Sequence, residues 1–403
     1  MTSPRAEAET AAPFAWSIVG VAFVLAAFAW GIGFYGPSIL LQALHKARGW
    51  PIATISSAIS LHFLLSAGMV VYLPEAHRRL GLTNVTLAGV GLAALGAVAW
   101  ANAQATWQLF LAVPLSSAGW AATSGAAINA IVSPWFDKNR AKALSLAFNG
   151  ASVGGVIFPP AWAALASAFG IANAAAILAA VMVAILCPLV FRFVRARPLR
   201  PETIREGDRA PSRNQLARRD LLRDRRFVSL SGAFALGLFA QVGLFAHLVA
   251  RLGPVFGDAG AALALSATAA SAVVGRTLLA WTLGDRIRRH AASANFVPQA
   301  AGVLLLVLAS QPVPVGLGCI LFGLGVGNLI SLPPLIAQQE FEPQDVPTVV
   351  ALVTAINQAV FACAPAIFGL LRDAAGDYTI AFALAACAQV AAALVIRASR
   401  APR

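Results

Sequence analysis

The side chains that could do chemistry within the apolar stretches of this 403-residue chain are few. Three ionisable residues lie inside such stretches, namely Arg276, His62 and His247. A guanidinium is permanently charged, and its fork of donors matches a carboxylate, so Arg276 suggests anion binding. A histidine can carry a proton or donate to an anion, or it can simply bond a neighbouring helix. His62, near the middle of its stretch, is the better candidate, and His247 is the second.

Arg276 needs something to offset its charge, because an arginine in a membrane helix costs about 2.5–3.5 kcal/mol on insertion scales. All 16 Asp and Glu residues fall in loops, termini or the ends of apolar stretches. Asp285 marks the end of the stretch that holds Arg276, about 13.5 Å along a helix. A substrate carboxylate is therefore the favoured partner. Backbone carbonyls, or a side chain that reaches the membrane surface, are the alternatives.

Further polar and aromatic residues at mid-stretch depth could complete a pocket around an anion. The candidate substrate-binding residues besides Arg276 and His62 are Trp30, Phe34, Tyr35, Asn149, Gln241, Asn328, Asn357 and Gln358. For each aromatic residue, the alternative is packing or contact with lipid. The two candidates for coupling to a proton are His62 and His247.

The elements that position these residues follow from composition. Hydrophobic residues make up 59% of the chain and charged residues only 11%, whereas a soluble domain carries about 25% charged residues. A water-soluble fold could not cover its surface with so few charges. The net charge of +13 lies largely in loops between apolar runs, which argues for membrane topology and against nucleic-acid binding.

Twelve apolar runs are long enough to cross a bilayer, which takes about 20 residues each. They lie near residues 15–43, 51–73, 83–103, 106–132, 142–168, 171–194, 227–251, 260–283, 291–310, 312–338, 347–371 and 376–396. The sequence therefore predicts an all-α membrane protein with twelve transmembrane helices in two pseudo-symmetric six-helix bundles. We assign residues 1–194 to the first bundle, 227–403 to the second, and 195–226 to a basic cytoplasmic linker.

Charge asymmetry predicts the orientation. With a cytoplasmic N-terminus, 24 of the 29 Lys and Arg residues fall on the cytoplasmic side and 4 on the opposite side. This positive-inside pattern predicts that both termini are cytoplasmic, in a bacterial-type cytoplasmic (inner) membrane. The linker arginines could also bind anionic lipid headgroups.

No motif indicates an enzyme. The four cysteines have no metal-ligand spacing, and the chain contains neither a phosphate-binding loop nor an acid–base pair within an apolar run. We therefore expect no metal, no cofactor and no enzymatic activity.

The two halves show weak internal symmetry. Asn149 and Asn357 are 208 positions apart, as are Arg78 and Arg286. The stretch 284–289, Gly-Asp-Arg-Ile-Arg-Arg, is similar to the cytoplasmic signature of the major facilitator superfamily, although it lacks the internal Gly. The equivalent first-half loop, residues 74–81, lacks the Asp of the signature. The resemblance implies gating loops that contain Asp285, Arg286, Arg78 and Arg79.

Several stretches narrow the resemblance to the branch of monocarboxylate transporters and oxalate/formate antiporters. They are Gly49-Trp50-Pro51, residues 135–143, the glycine-rich 150–155, Gly275-Arg276 and residues 369–382. The resemblance implies that Arg276 contacts the substrate anion. The proton-coupled members carry an Asp one turn earlier, where this chain has Ala272. Coupling through an Asp–Arg pair is thus unavailable, which leaves anion exchange, protonation of the substrate itself, or His62.

Together these features predict a secondary active transporter of a small organic anion, a mono- or dicarboxylate. It would work by alternating access, as an anion exchanger or a proton symporter, and as a monomer in the lipid bilayer. The alternative with the same fold is an exporter of drugs or hydrophobic solutes. A sensor or membrane enzyme would need an added soluble domain or a catalytic cluster.

Overall fold

The computed structural model describes residues 4–136, 139–195, 218–283 and 288–398. Every regular element within these ranges is helical. In chain order the helices are α1 (Pro4–Gly33), α2 (Gly36–Arg48), α3 (Ile52–Leu80), α4 (Leu82–Asn102), α5 (Thr106–Thr123), α6 (Gly125–Val132), α7 (Arg140–Phe169), α8 (Ile171–Leu189), α9 (Arg218–Leu221), α10 (Arg225–Leu283), α11 (Arg288–Leu308), α12 (Pro312–Val326), α13 (Asn328–Glu340), α14 (Val346–Ala362), α15 (Ala364–Ala375) and α16 (Thr379–Ala398). A 3₁₀ turn follows α6 and a π-helical turn follows α8.

Ten helical segments of the described chain are long and apolar enough to cross a membrane. Helix α10 alone has 59 residues, almost three times the length that a crossing needs. It is interrupted at Gly257, whose φ of 71° and ψ of 174° are not helical and suit a residue without Cβ. Its parts before and after Gly257 correspond to two of the predicted runs. Since each of the twelve runs is helical, the predicted all-α membrane fold is confirmed.

Four predicted spans are each made of two helices rather than one. The first is interrupted at residues 34–35, the fourth at Ser124, the tenth at Gly327 and the eleventh at Cys363. Ser124 is extended, with φ −94° and ψ −151°, so the helix restarts there. Pro365 follows the last break, and a proline cannot donate the hydrogen bond that would continue the preceding helix. Hydropathy alone does not report such breaks, because the apolar run continues through each of them.

The chain divides into two compact units. The first contains Met1–Leu44 and Leu65–Thr203, and the second contains His45–Leu64 and Ile204–Arg403. Helix α3 therefore begins in the second unit and ends in the first. The assignment of residues 1–194 and 227–403 to two bundles stays a prediction. In the structure, residues 45–64 associate with the second unit.

The first part of α3 packs on α15 within the second unit. The backbone N–H of Ala53 donates to the Asp373 carboxylate at 2.7 Å, and the backbone N–H of Ala366 donates to the Ser60 hydroxyl at 2.9 Å. Gly369 lies between these contacts, and a Cβ there would come within 3.0 Å of the Cα of Ala53. The pairing order shows that the two helices run antiparallel, with Asp373 stabilising the start of α3.

Candidate functional site

Arg276 lies on the part of α10 that follows Gly257, and its side chain is half-buried. Its guanidinium rests against Gly327, at the junction of α12 and α13. A Cβ on Gly327 would come within 2.8 Å of Arg276 Nη2 and 2.9 Å of Nε. Gly275 faces α12 so closely that a Cβ would overlap the backbone carbonyl of Leu324. The two glycines thus allow a charged side chain to lie directly against a neighbouring backbone.

An amide pair adjoins this contact. Asn328 Nδ2 donates to Asn295 Oδ1 at 2.8 Å and lies 3.5 Å from the backbone oxygen of Gly275. Asn295 Nδ2 donates in turn to the backbone oxygen of Gly325 at 3.1 Å. Asn328 is 2% exposed, and its Oδ1 accepts no hydrogen bond from the described residues. The orientation of the Asn328 amide is therefore set by its neighbours, with the carbonyl end turned away from them.

Two further amides, Gln299 and Gln389, extend the hydrogen-bond network of this pair. Gln299 Nε2 donates to the backbone oxygen of Asn295 at 3.2 Å, and Gln389 Nε2 donates to Gln299 Oε1 at 3.3 Å. Both glutamines are 0% exposed. Asn295, Gln299 and Gln389 are not among the site residues predicted from the sequence. The signal that could have found them is their polarity within apolar runs, where a buried amide needs a partner.

Four other predicted amides occupy two helices of the second unit and one of the first. Gln241 on α10 and Asn357 on α14 are buried, and neither Gln241 Oε1 nor Asn357 Oδ1 accepts a hydrogen bond from the described residues. Gln358 follows on α14 and is half-buried. Asn149 is half-buried on α7, in the first unit.

The two histidines differ in their surroundings. His247 is fully buried, with Nε2 2.9 Å from the Pro365 carbonyl oxygen and Nδ1 3.3 Å from the Tyr378 hydroxyl. Burial raises the pKa of the Tyr378 phenol, so its hydroxyl keeps a proton to donate. A neutral His247 with its proton on Nε2 satisfies both contacts. His62 is also buried, on α3, and its ring meets that of Phe63 edge-on at 5.0 Å.

The predicted aromatic residues form a cluster in the first unit. Trp30 packs against Trp120 with ring centroids 5.0 Å apart and meets Phe148 edge-on at 6.2 Å. Phe34 stacks on Trp120 at 6.4 Å and meets Tyr35 edge-on at 5.2 Å. Trp30 and Phe34 are half-buried, whereas Tyr35 is buried. The structure thus brings the three predicted aromatics together and adds two more.

The predicted gating residues are only partly within the described chain. Arg78 and Arg79 are exposed at the end of α3, and both form ion pairs with Glu75 one turn earlier. Asp285 and Arg286 lie outside the described residues. Glu75 therefore supplies an acidic partner where the signature Asp is missing, in a segment that was predicted as a loop but is helical up to Leu80.

A buried ion pair lies where the ends of α10, α11, α13 and α16 meet. The side chains of Arg289 and Glu340 are 3% and 5% exposed, and Arg289 binds both carboxylate oxygens. Its other N–H groups donate to the Ser229 hydroxyl and to the backbone oxygens of Arg226 and Ile396, at 2.8–3.0 Å. This contact ties four helix ends together. Arg289 is the last residue of the signature-like stretch 284–289, whereas its partner Glu340 was not predicted from the sequence.

Comparison with known proteins identifies a family match over most of the chain. A model described as Major Facilitator Superfamily matches residues 19–339. No curated protein matches the chain.

Solved structures of transporters resemble the fold. A mutant of the nucleoside transporter NupG has a TM-score of 0.75 at 15% identity, with 94% of this chain and 99% of that chain covered. A mutant of the peptide transporter POT, in complex with sulfate, has a TM-score of 0.72 at 16% identity, with coverages of 94% and 93%. A bacterial homologue of the human lysosomal transporter Spinster has a TM-score of 0.70 at 14% identity, and 95% of each chain is covered. At these identities the likeness concerns the fold alone.

Proposed function

The chain belongs to the Major Facilitator Superfamily, and from this premise we propose that it is a secondary active transporter of a small organic anion, a mono- or dicarboxylate. It is a multi-pass membrane protein with a transporter fold. Alternating access would move the anion, either by exchange for a second anion or together with a proton. The observation that supports the proposal is the placement of Arg276 against Gly327.

Arg276 supports anion binding for a physical reason. A guanidinium inside a membrane span costs about 2.5–3.5 kcal/mol, and an anion beside it offsets part of that cost. The side chain is half-buried, so it keeps some access from outside the packed helices. The planar fork of donors binds both oxygens of a carboxylate, which a lysine ammonium cannot do.

A proton symporter with this sequence would need a proton-carrying residue other than an aspartate next to Arg276. Ala272 stands one turn earlier and is buried, and alanine cannot carry a proton. His247 is engaged by Pro365 and Tyr378, an arrangement that suits a structural role. We therefore propose His62 as the coupling residue of a proton symporter, with anion exchange as the alternative mode.

The remaining residues receive proposed roles that follow from their surroundings. Gln241, Asn328 and Asn357 would offer acceptor oxygens to substrate, since each has a buried oxygen that accepts no bond from the described residues. The proposed location is a bacterial-type inner membrane, with both termini cytoplasmic. We further propose that the transporter acts as a monomer.

The test is uptake of radiolabelled carboxylates into proteoliposomes that contain the purified protein. We expect Arg276→Ala to abolish uptake and Arg276→Lys to lose most of it, because the lysine keeps the charge but not the fork. Arg48→Ala, which removes an exposed arginine at the end of α2, is the matched control and should transport normally. Thermal unfolding of each variant checks that the protein is folded.

Two results would count against this function. Full carboxylate uptake by a folded Arg276→Ala protein would show that the arginine does not hold the anion. Export of neutral or cationic compounds that is indifferent to Arg276 would favour the exporter of drugs or hydrophobic solutes. The half-buried aromatic cluster around Trp120 is compatible with that second function.

A further inference from the structure

We infer that Asn328 is a specificity-determining residue, which selects carboxylates that carry a hydroxyl or ammonium donor close to the carboxyl group. The inference rests on the proposed function of Arg276 as the anion anchor. It adds a second contact, made by the Asn328 Oδ1 acceptor, and a preference among anions that Arg276 alone does not create.

Arg276 and Asn328 lie close together. Arg276 lies against Gly327, and Asn328 Nδ2 lies 3.5 Å from the backbone oxygen of Gly275. Arg276 thus contacts the residue that precedes Asn328, and Asn328 contacts the residue that precedes Arg276. An anion on the guanidinium would therefore have the Asn328 side chain nearby.

Hydrogen bonds fix the orientation of the Asn328 amide. Asn328 Nδ2 donates to Asn295 Oδ1, and Asn295 Nδ2 donates to the Gly325 carbonyl oxygen. Turning the Asn328 amide over would place its carbonyl against two acceptors, Asn295 Oδ1 and the Gly275 carbonyl. The Asn328 Oδ1 atom is therefore held in place as an acceptor.

The Asn328 Oδ1 atom favours a hydrogen-bond donor on the substrate. It is buried and accepts no hydrogen bond from the described residues, and an unsatisfied buried acceptor is unfavourable. A carboxylate oxygen or a ketone oxygen of a substrate would face it as a second acceptor and be repelled. An O–H or N–H group would satisfy it. A site built to bind a donor discriminates strongly against analogues that lack one.

The experiment compares matched acids on the full-length protein. Small carboxylates of equal length are tested in three forms, with a 2-hydroxyl group, with a 2-oxo group and unsubstituted, together with the 2-amino acid. Competition against a transported carboxylate in proteoliposomes gives relative affinities. We expect the 2-hydroxy or 2-amino form to bind at least about 10-fold more tightly than the 2-oxo and unsubstituted forms.

Substitutions test whether Asn328 creates the preference for 2-hydroxy or 2-amino acids. Asn328→Leu is similar in size and removes the Oδ1 acceptor, so it should reduce the preference to within about 2-fold. Asn295→Leu should weaken the preference too, since it frees the Asn328 amide to turn. Asn102→Leu makes the same change at an exposed position on α4 and should keep the full preference.

The outcomes separate the inference from the function on which it rests. Equal binding of all forms by the wild-type protein overturns the inference and leaves the anion function standing; this measurement needs no variant to fold. A full preference in folded Asn328→Leu also overturns it. Failure of every carboxylate to compete or to be transported overturns the proposed function itself.

Discussion

Replacing Glu340 by glutamine should destabilise the second unit more than any other single neutralisation of a described acidic residue. The Arg289 guanidinium has five N–H donors, and the structure uses all five. Two of them bind the carboxylate of Glu340. A glutamine side chain could accept from only one and would turn its own N–H₂ group towards the other.

The magnitude follows from burial. Both side chains are at most 5% exposed, so the change leaves a positive charge buried without its counter-charge. Breaking one partner of such a pair costs about 3–5 kcal/mol. Arg226 also lies beside Glu340, because its Nη1 donates to the Glu340 carbonyl at 2.8 Å, and the two guanidinium groups would then repel. For a unit of about 200 residues, at roughly 2–4 °C per kcal/mol, we expect a melting point lower by about 6–20 °C.

The assay is thermal unfolding of purified protein in detergent, followed by tryptophan fluorescence. Glu342→Gln is the matched control. Glu342 is exposed two residues further on, where its carboxylate accepts from Gln344 at 3.0 Å, so its loss should change stability by less than about 0.5 kcal/mol. The double replacement Arg289→Met with Glu340→Met should recover part of the loss, because no uncompensated charge remains. Equal melting points for Glu340→Gln and Glu342→Gln would refute the reasoning.

Two further predictions concern close helix contacts. Gly275→Ala should lower stability by about 1–3 kcal/mol and impair transport, because the added Cβ would overlap the Leu324 carbonyl. The control is Gly20→Ala, which should be neutral or slightly stabilising because no atom lies within 4 Å of the added Cβ. The comparison is made by melting and uptake, and equal behaviour of the two variants would contradict the packing. Asp373→Ala should cost about 1 kcal/mol, since the carboxylate caps the start of α3 through Ala53. Asp373→Asn, which keeps an acceptor, should cost less, and a melting point unchanged in both would show that the cap contributes nothing.

The sequence predicted both the superfamily of the chain and a narrower branch within that superfamily. Membership of the superfamily is confirmed, and it rested on loop signatures such as residues 284–289 in their order along the chain. The narrower resemblance to monocarboxylate transporters and oxalate/formate antiporters stays a prediction. Its glycine motifs, residues 150–155 and Gly275, lie against neighbouring backbone, and such contacts report close helix packing and carry little information about the transported molecule.

The sequence by itself determined that this chain is an all-α membrane protein with twelve apolar runs, and that Arg276 is the permanent charge within them. These conclusions need only hydropathy and charge, because a bilayer demands about 20 apolar residues per crossing and admits few charges. Tertiary structure alone decided which side chains meet. The Asn295–Asn328 pair, the ion pair of Arg289 with Glu340 and the packing of α3 on α15 join residues from separate helices. No periodicity along one helix specifies its partner on another, since that choice depends on how the helices pack in three dimensions.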